Sequence, residues 1–243
     1  MHDIRYDPVH DELFVTNPFA KAILVFRGGA NGEEPPIRII QGPNTQLGGN
    51  TDRLEVDPVH NEIIIPNRNS ILVFPRDGQG DVAPIRVISG PDTQLRSAGG
   101  VAVDTVNNVL VVGLAYGDAG QRGGGGGLLI FNRTDEGNAK PLRVIRGPQT
   151  GLLLINQIQV YSPRGMIVAT QSTDDGPSEP EGVFIGVWSV FDSGDVPPRW
   201  RLGGPKSTIK KPRGVALDPK YKEIIVADMR QNAVLTYYFP EIF

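Results

Sequence analysis

Two short motifs recur along this chain in step with each other. The first is an apolar residue followed by Asp and usually by Pro, and its marker position recurs at intervals of 50, 47, 57 and 57 residues: Asp7, Asp57, Asp104, Tyr161 and Asp218. The second is a short apolar run that ends in Gly-Pro, and its Gly recurs at intervals of 48, 57 and 57 residues: Gly42, Gly90, Gly147 and Gly204. Because two separate markers keep nearly the same spacing, we predict a chain of duplicated structural units.

Each complete unit contains four short runs of β-branched and other apolar residues, separated by Gly, Pro, Asn and Asp. Runs of this length and composition predict β-strands. They are largely continuous rather than alternating, which is typical of sheets that are buried on both faces. A four-stranded unit of about 40–50 residues is the period of a β-propeller blade. The sequence therefore predicts an all-β propeller of four-stranded blades in a single domain, residues 1–243, with blades near 1–47, 48–95, 96–152, 153–209 and 210–243.

The last unit has only three of the four predicted strands. Its apolar runs lie at residues 215–217, 223–227 and 233–239, with no Arg-bearing run after them and no spare run before Ile4. Two arrangements remain open: five blades that close imperfectly, or part of a larger, six-bladed propeller, which we favour. Either arrangement exposes a strand edge, and such an edge pairs readily with another chain. The open last blade is accordingly a candidate surface for self-association.

Composition excludes several classes of function. The chain has no cysteine, which excludes disulfides, thiolate catalysis and cysteine-ligated zinc. Its formal net charge of −3 lacks the basic excess that is typical of nucleic-acid-binding proteins, so we expect no nucleic-acid partner. No run of about 18 apolar residues is present, so no transmembrane segment is predicted.

Residues 63–74 and 225–235 resemble the NHL repeat, in which an apolar strand, an Asp or Asn, an Asn and a second apolar strand follow one another. Residues 213–219 are similar to the usual opening of that repeat. The resemblance covers nearly the whole chain and departs most at Tyr161 and Trp200 in the fourth unit. It implies a propeller and, since such bacterial chains are often exported, an extracytoplasmic location. The activity stays open, because propellers serve as enzymes, receptors and scaffolds.

Several conspicuous polar residues have simple structural interpretations. The recurring Asp before Pro is expected to cap a turn by accepting backbone N–H groups. His10 and His60 fall in that same turn, and three scattered His residues give no zinc spacing. The Asp- and Gly-rich segments 77–81 and 135–138 lack the spacing of a calcium loop and are predicted to be hairpin turns. Three Arg residues are predicted on the outermost strands, where they would protect the sheet edge: Arg38, Arg86 and Arg143.

Arg5, Glu55 and Gln159 share one position of the repeat, on the strand predicted to be innermost. We expect them to line the central channel, with Arg5 and Glu55 as a structural ion pair. Propellers of the gluconolactonase kind hold a divalent cation at the channel mouth, and that resemblance implies an alternative function, a metal-dependent lactone hydrolase. Glu55 and Asn156 are the nearest candidate ligands, but two residues do not complete a site. We therefore expect no cofactor, with calcium or another divalent cation as the alternative.

The third and fourth units are each longer by about ten residues, and both gain them between the second and third strands, at 113–127 and 171–186. In a propeller these connections share one face, and insertions in repeats often mark the binding side. Extended loops without a binding role are the alternative. The acidic segment of the fourth unit argues against the RNA-binding role of some NHL propellers, which needs a basic face. The favoured function is non-enzymatic binding of another protein or a small ligand, or a scaffold, through seven residues: Tyr116, Asp118, Arg122, Asp174, Asp175, Glu179 and Glu181.

Overall fold

The computed structural model describes residues 3–48, 51–114, 125–173 and 182–243. Within these ranges the chain forms nineteen β-strands in five antiparallel sheets, with a few one-turn 3₁₀ segments. In every sheet the strands pair in chain order, and we call the sheets blades 1 to 5. Blade 1 comprises β1 (Ile4–Asp7), β2 (Glu12–Asn17), β3 (Ala22–Arg27) and β4 (Arg38–Gln41); blade 2 comprises β5 (Glu55–Asp57), β6 (Glu62–Asn67), β7 (Ser70–Pro75) and β8 (Arg86–Ser89); blade 3 comprises β9 (Ala98–Asp104), β10 (Val109–Leu114), β11 (Gly127–Asn132) and β12 (Arg143–Ile145); blade 4 comprises β13 (Leu154–Tyr161), β14 (Met166–Ser172), β15 (Phe184–Ser189) and β16 (Trp200–Gly203); blade 5 comprises β17 (Pro212–Asp218), β18 (Glu223–Asp228) and β19 (Ala233–Tyr238).

These sheets confirm the predicted four-stranded units and the three-stranded fifth one. The chain divides into two compact units. Unit 1 is Met1–Val101 with Thr134–Lys140, and unit 2 is Ala102–Arg133 with Pro141–Phe243. Blades 1 and 2 belong to unit 1, and blades 4 and 5 belong to unit 2 together with most of blade 3. In the described part of the chain, no helix has the length and apolar character needed to cross a membrane.

Apolar side chains fill the space between neighbouring blades in each unit. In unit 1 the core contains Phe14, Ile63 and Phe74, all fully buried. In unit 2 one core surrounds Trp188, and a second contains Ile224. Full burial of an aliphatic or aromatic side chain of this size stabilises the fold by roughly 1.5–3 kcal/mol. Every residue of β10, β14 and β15 is buried, which explains why these strands are continuously apolar or neutral rather than alternating.

The Asp at the end of the first strand caps the following turn, as predicted. In blade 2, Asp57 Oδ1 accepts the backbone N–H groups of Val59 and His60, both at 3.0 Å. Its other carboxylate oxygen lies 2.7 Å from His60 Nδ1. Blades 1, 3 and 5 repeat the backbone contacts, and His10 repeats the contact to the imidazole. The two His side chains therefore brace turns in unit 1.

The Gly-Pro motif joins each of the first three blades to the next. Asp81 Oδ1 accepts the backbone N–H of Asn44 at 2.7 Å, immediately after Gly42-Pro43. Gly42 has a φ of 140°, and a Cβ there would lie 2.3 Å from the Asp81 carboxyl. Only glycine therefore fits this position. The same contact recurs twice, between Gly90 and Asn138 in unit 1 and between Gly147 and Asp195 in unit 2.

Arg38 and Arg86 point inward, across the sheet, instead of guarding its edge. Arg38 donates two hydrogen bonds to Glu12, of 2.7 and 2.8 Å, and Arg86 binds Glu62 with the same two distances. Glu12 and Glu62 begin the second strand of their blades, so each pair spans the third strand. Arg143 has no such acid in blade 3, where Val109 takes that position, and it lies over the ring of Phe191 at 5.6 Å.

Candidate functional site

The seven residues of the predicted binding patch, at 116–122 and 174–181, lie outside the described residues. The strand ends that carry the two long connections are described, and both belong to unit 2. In blade 3 the last pair before the connection is Leu114 with Gly127. In blade 4 it is Gln171 with Phe184. The structure therefore describes the base of each connection.

The bases of the two connections contact the same short segment. Gln171 is fully buried at the start of the blade 4 connection. Its Oε1 accepts the backbone N–H groups of Leu153 and Leu154, at 2.7 and 3.1 Å. Gly126 ends the blade 3 connection, and a Cβ on it would lie 2.9 Å from the Leu153 carbonyl oxygen. Leu153 therefore links the end of one long connection to the beginning of the other.

Two β-bulges face each other beside this segment. The register of β13 shifts between Ile155 and Ile158, and the register of β17 shifts between Pro212 and Gly214. Each shift releases polar residues from regular pairing, and bulges of this kind redirect side chains next to functional sites. Arg213 Nη1 donates to the side-chain oxygen of Asn156 at 2.8 Å, which connects the two bulges.

Further hydrogen bonds fix these strand ends. Asn156 Nδ2 donates to Ser172 Oγ at 2.9 Å, and Gln157 Oε1 accepts the N–H of Val215 at 2.7 Å. The N–H of Gln157 donates to Thr170 Oγ1 at 3.0 Å. We call the connected residues the bulge cluster: Asn156, Gln157, Thr170, Gln171, Ser172 and Arg213. All but Arg213 are buried. A buried hydrogen-bonded network of this kind holds its backbone rigidly.

Equivalent residues in unit 1 make some of the same hydrogen bonds as this network. In unit 1, Asp3 Oδ2 accepts the N–H of Leu54 at 3.1 Å, and the N–H of Asp3 donates to Thr16 Oγ1 at 3.0 Å. Gln157 makes the corresponding two contacts in unit 2. The contact between Asn156 and Arg213 joins blade 4 to blade 5 at this end of the two sheets.

Positive charge gathers beside the bulge cluster. Within the described residues, the buried Nε of Arg213 has no hydrogen-bond partner. Burial lowers the pKa of the Lys211 ammonium, and the charges of Arg213 and Arg230 lower it further. The two guanidinium groups thus lie close enough to Lys211 to disfavour its charged form.

Arg5 and Glu55, predicted as an ion pair, lie together in unit 1. Arg5 Nε is 3.6 Å from Glu55 Oε1, and Arg5 Nη1 is 3.4 Å from Asp3 Oδ1. Burial raises the pKa of the Glu55 carboxyl, and the nearby Arg5 charge and the N–H of Val56 offset this only in part. Gln159 lies on β13 in unit 2, opposite Val168. The predicted channel lining remains a prediction.

Both residues considered as metal ligands contact a guanidinium. Glu55 faces the guanidinium of Arg5, and the side-chain oxygen of Asn156 accepts from Arg213. A guanidinium in that place disfavours a bound cation. In the described ranges, no group of three or more His, Cys, Asp and Glu side chains converges as a metal site would require.

Sequence reasoning missed most of the bulge cluster. It singled out Asn156 as a ligand candidate, and it passed over Gln157 and Gln171. One available signal was the pair of polar residues Asn156 and Gln157 inside an otherwise apolar run at 152–158. The register shift of β17 at Arg213 has no comparable signal.

Comparison with solved structures supports the fold. Matches to 562 chains are found. One is hydrazine synthase of Kuenenia stuttgartiensis, with a TM-score of 0.68 and 14% sequence identity over 96% of this chain and 63% of that chain. This chain thus spans less than two thirds of that protein chain. At this low sequence identity, the similarity shows the fold and not the function.

No protein-family model matches the sequence, and no curated protein matches it. The structural similarity and the sheet topology together establish the fold class. The chain has an all-β propeller fold, and its described residues form four four-stranded blades and a fifth blade of three strands.

Proposed function

We propose that the protein is a non-enzymatic binding module or scaffold of the NHL type, and that its partner protein or ligand docks where the two long connections of blades 3 and 4 leave unit 2. The observation that carries this proposal is the contact of both connection bases with Leu153. Gly126 packs against its carbonyl oxygen, and Gln171 accepts its N–H. Long loops on a rigid base are a common way of building a binding surface.

The bulge cluster supports the same assignment. Buried hydrogen bonds from Asn156 and Gln157 connect β13 to β14 and β17, so the strand ends beneath the connections are fixed. A fixed base lowers the entropy that a binding surface loses when it captures its partner. The half-buried guanidinium of Arg213 adds a directional group for an anionic or hydrogen-bond-accepting atom.

Charge in the long connections favours a partner with a basic surface. The segment 174–181 carries four acidic residues and no basic one, and the segment 115–124 carries one of each sign. Complementary charge mainly accelerates association and makes it sensitive to salt. We therefore expect binding to weaken as the ionic strength rises.

A photo-crosslinking experiment tests the proposal. A benzophenone amino acid replaces Tyr116 in the blade 3 connection, and in a matched variant it replaces Tyr221, an exposed residue in the turn between β17 and β18. After irradiation in the source cells, intact-mass analysis is expected to find one discrete adduct on the Tyr116 variant. Changing the four acidic residues of the blade 4 connection to amides should reduce that adduct.

Equal labelling at both positions, or an adduct that survives charge neutralisation unchanged, would count against this surface. Absence of any adduct at Tyr116 under conditions that label other exposed sites would reject it.

A further inference from the structure

The segment that leads from blade 4 into blade 5 carries an excess of positive charge. Residues 204–215 contain four basic residues and no acidic one: Lys206, Lys210, Lys211 and Arg213. The equivalent segments between the earlier blades, at 42–53, 90–101 and 147–158, each have no net charge. The chain as a whole has a formal net charge of −3, so the sign of this segment is opposite to that of the protein.

The fold of this segment uses backbone groups and does not need the basic side chains. Asp228 Oδ2 accepts the backbone N–H groups of Lys210 and Lys211, at 2.7 and 2.9 Å. In blade 4, Gln171 Oε1 accepts the backbone N–H groups of residues 153–154 in the same way, and each blade 5 residue stands 57 residues after its counterpart. Both residues of the blade 4 pair are leucine, so the backbone arrangement forms without lysine at these positions.

The carboxylate of Asp228 is engaged by the backbone on both of its oxygens. Asp228 is buried, and its Oδ1 accepts the N–H groups of Arg230 and Gln231, at 3.1 and 3.0 Å. The N–H of Met229 donates to the Lys211 carbonyl oxygen at 3.0 Å. The turn that carries Arg230 therefore lies against the basic segment. Across the described ranges, no ion pair joins Asp228 to a basic side chain.

Two guanidinium groups converge on the Lys211 ammonium. Burial lowers the pKa of Lys211, and the charges of Arg213 and Arg230 lower it further. Arg213 makes a single side-chain hydrogen bond to the described residues, from Nη1 to Asn156. Arg230 is exposed and forms no ion pair within the part of the chain that the structure describes. Like charges gathered in this way disfavour one another, and a bound anion removes that cost.

The adjoining end of blade 4 favours a small anion over a long one. Ser172 Oγ donates to the Pro212 carbonyl oxygen at 3.2 Å, so the base of the blade 4 connection contacts the basic segment. That connection carries four acidic residues between positions 174 and 181. Its negative charge opposes an extended polyanion such as a nucleic acid, which needs a continuous basic surface. A small anion needs only the cations around Lys211.

We infer that Lys211, Arg213 and Arg230 bind a small ligand that bears a phosphate group. A phosphate group has about two negative charges and three acceptor oxygens, so one group can meet three cations. Arginine pairs with phosphate through parallel hydrogen bonds, and lysine contributes a point charge. Lys206 and Lys210 are exposed and add to the attraction at longer range. The site does not depend on a partner protein at the long connections, because all of its groups lie in blade 5 and the segment before it.

Inorganic pyrophosphate serves as the probe, in isothermal titration calorimetry of the full chain at fixed ionic strength. We expect one saturable site. The double change Lys211→Gln with Arg230→Gln should weaken binding by at least about tenfold, because it removes two charge-assisted contacts.

A matched control removes the same charge from the other end of the blade. Lys220 and Lys222 are exposed in the turn between β17 and β18, whereas the basic segment leads into the start of β17. The double change Lys220→Gln with Lys222→Gln should leave the affinity within about twofold, because salt screens charge at that distance. Circular dichroism of each variant establishes that the blades are intact.

Three results would overturn the inference: no saturable binding of pyrophosphate, equal weakening by the two double changes, or citrate binding as tightly as pyrophosphate. A fourth concerns the chain's own carboxylates. Changing the four acidic residues of the blade 4 connection to amides should strengthen binding only modestly, by removing nearby negative charge. If pyrophosphate bound that variant and not the unmodified chain, the acidic segment itself would be the anion that the cations attract, and the inference would fail.

Discussion

Arg38 and Glu12 are joined by two hydrogen bonds, of 2.7 and 2.8 Å, that cross the strand between them. Both side chains are largely buried, with 17% and 10% of their surfaces exposed. Burial alone would raise the pKa of Glu12, but hydrogen bonds and charge from Arg38 and Arg76 lower it overall. The pair in blade 2, Arg86 with Glu62, has the same geometry. In each of these two blades, an ion pair thus joins the second strand to the fourth.

The first prediction concerns the contribution of this ion pair to the free energy of unfolding. Arg86→Ala leaves the largely buried Glu62 carboxylate without its double hydrogen bond, and we expect a loss of about 3 kcal/mol in the free energy of unfolding. Arg143→Ala in blade 3 removes a contact with the Phe191 ring and should cost only about 0.5–1 kcal/mol. Urea denaturation of both variants measures the difference.

The double change Glu62→Leu with Arg86→Met removes both charges, and it should recover most of the loss in the free energy of unfolding. Equal losses for Arg86→Ala and Arg143→Ala would contradict the assignment.

The second prediction concerns the glycines between blades. Gly147→Ala places a Cβ 2.3 Å from the Asp195 carboxyl and also strains a φ of 141°. Gly204→Ala strains a φ of 91°, but none of the described residues lies within 4 Å of the added Cβ. The backbone strain alone costs about 1–3 kcal/mol at either position. We expect Gly147→Ala to lower the melting temperature clearly more than Gly204→Ala, and calorimetry of the two variants under identical conditions would show whether the Asp195 contact is responsible.

The third prediction concerns divalent cations. Glu55 and Asn156 were the nearest candidate ligands, and each is engaged by a guanidinium. A ligand that binds only the folded protein raises its stability in proportion to the logarithm of its concentration. We therefore expect millimolar calcium, magnesium or zinc to leave the melting temperature unchanged. A saturable increase in melting temperature that EDTA reverses would instead restore the lactone-hydrolase alternative.

The fourth prediction concerns pH. Burial raises the pKa of Glu55 in the folded protein, so the folded state holds this proton more tightly than the unfolded state does. The stability contribution of Glu55 must therefore fall as the pH rises from the ordinary glutamate pKa, about 4.3, through the raised value. Glu55→Gln does not titrate and should lack this fall. Urea denaturation of both proteins between pH 4 and 8 gives the difference, and an exposed control, Glu136→Gln, should follow the wild type; parallel curves for Glu55→Gln and the wild type would refute the prediction.

The repeat could be predicted from the sequence because its markers are local. The Asp of the first turn bonds backbone groups two and three residues later, so Asp57 and its equivalents identify the same turn in each unit. The apolar runs likewise identify strands that are buried on both faces. The three strands of blade 5 follow from the same pattern.

Contacts between distant residues were not predictable in the same way. Glu12 and Arg38 are 26 residues apart, and nothing in the intervening strand indicates that one side chain reaches the other. The Arg residues were therefore interpreted as edge protection. The register of β17 shifts beside Arg213, and Arg213 was passed over although it bonds Asn156. The seven residues of the long connections lie outside the described residues, so their role stays a prediction.

The fifth prediction concerns the base of the proposed binding surface. Gln171 is fully buried and its side-chain oxygen satisfies two backbone N–H groups, those of Leu153 and Leu154. Gln171→Ala leaves these two half-buried groups without this acceptor, and an unsatisfied group costs about 1–3 kcal/mol when it is fully buried. We expect a large loss in the free energy of unfolding, together with faster amide exchange at Leu153 and Leu154. Gln159→Ala, a change of the same side chain at a partly exposed position of β13, should have little effect on either measurement. If the exchange at Leu153 stayed slow in the Gln171 variant, Gln171 would not be what holds the two connections to their common base, and the binding surface would have to be sought elsewhere on the blades.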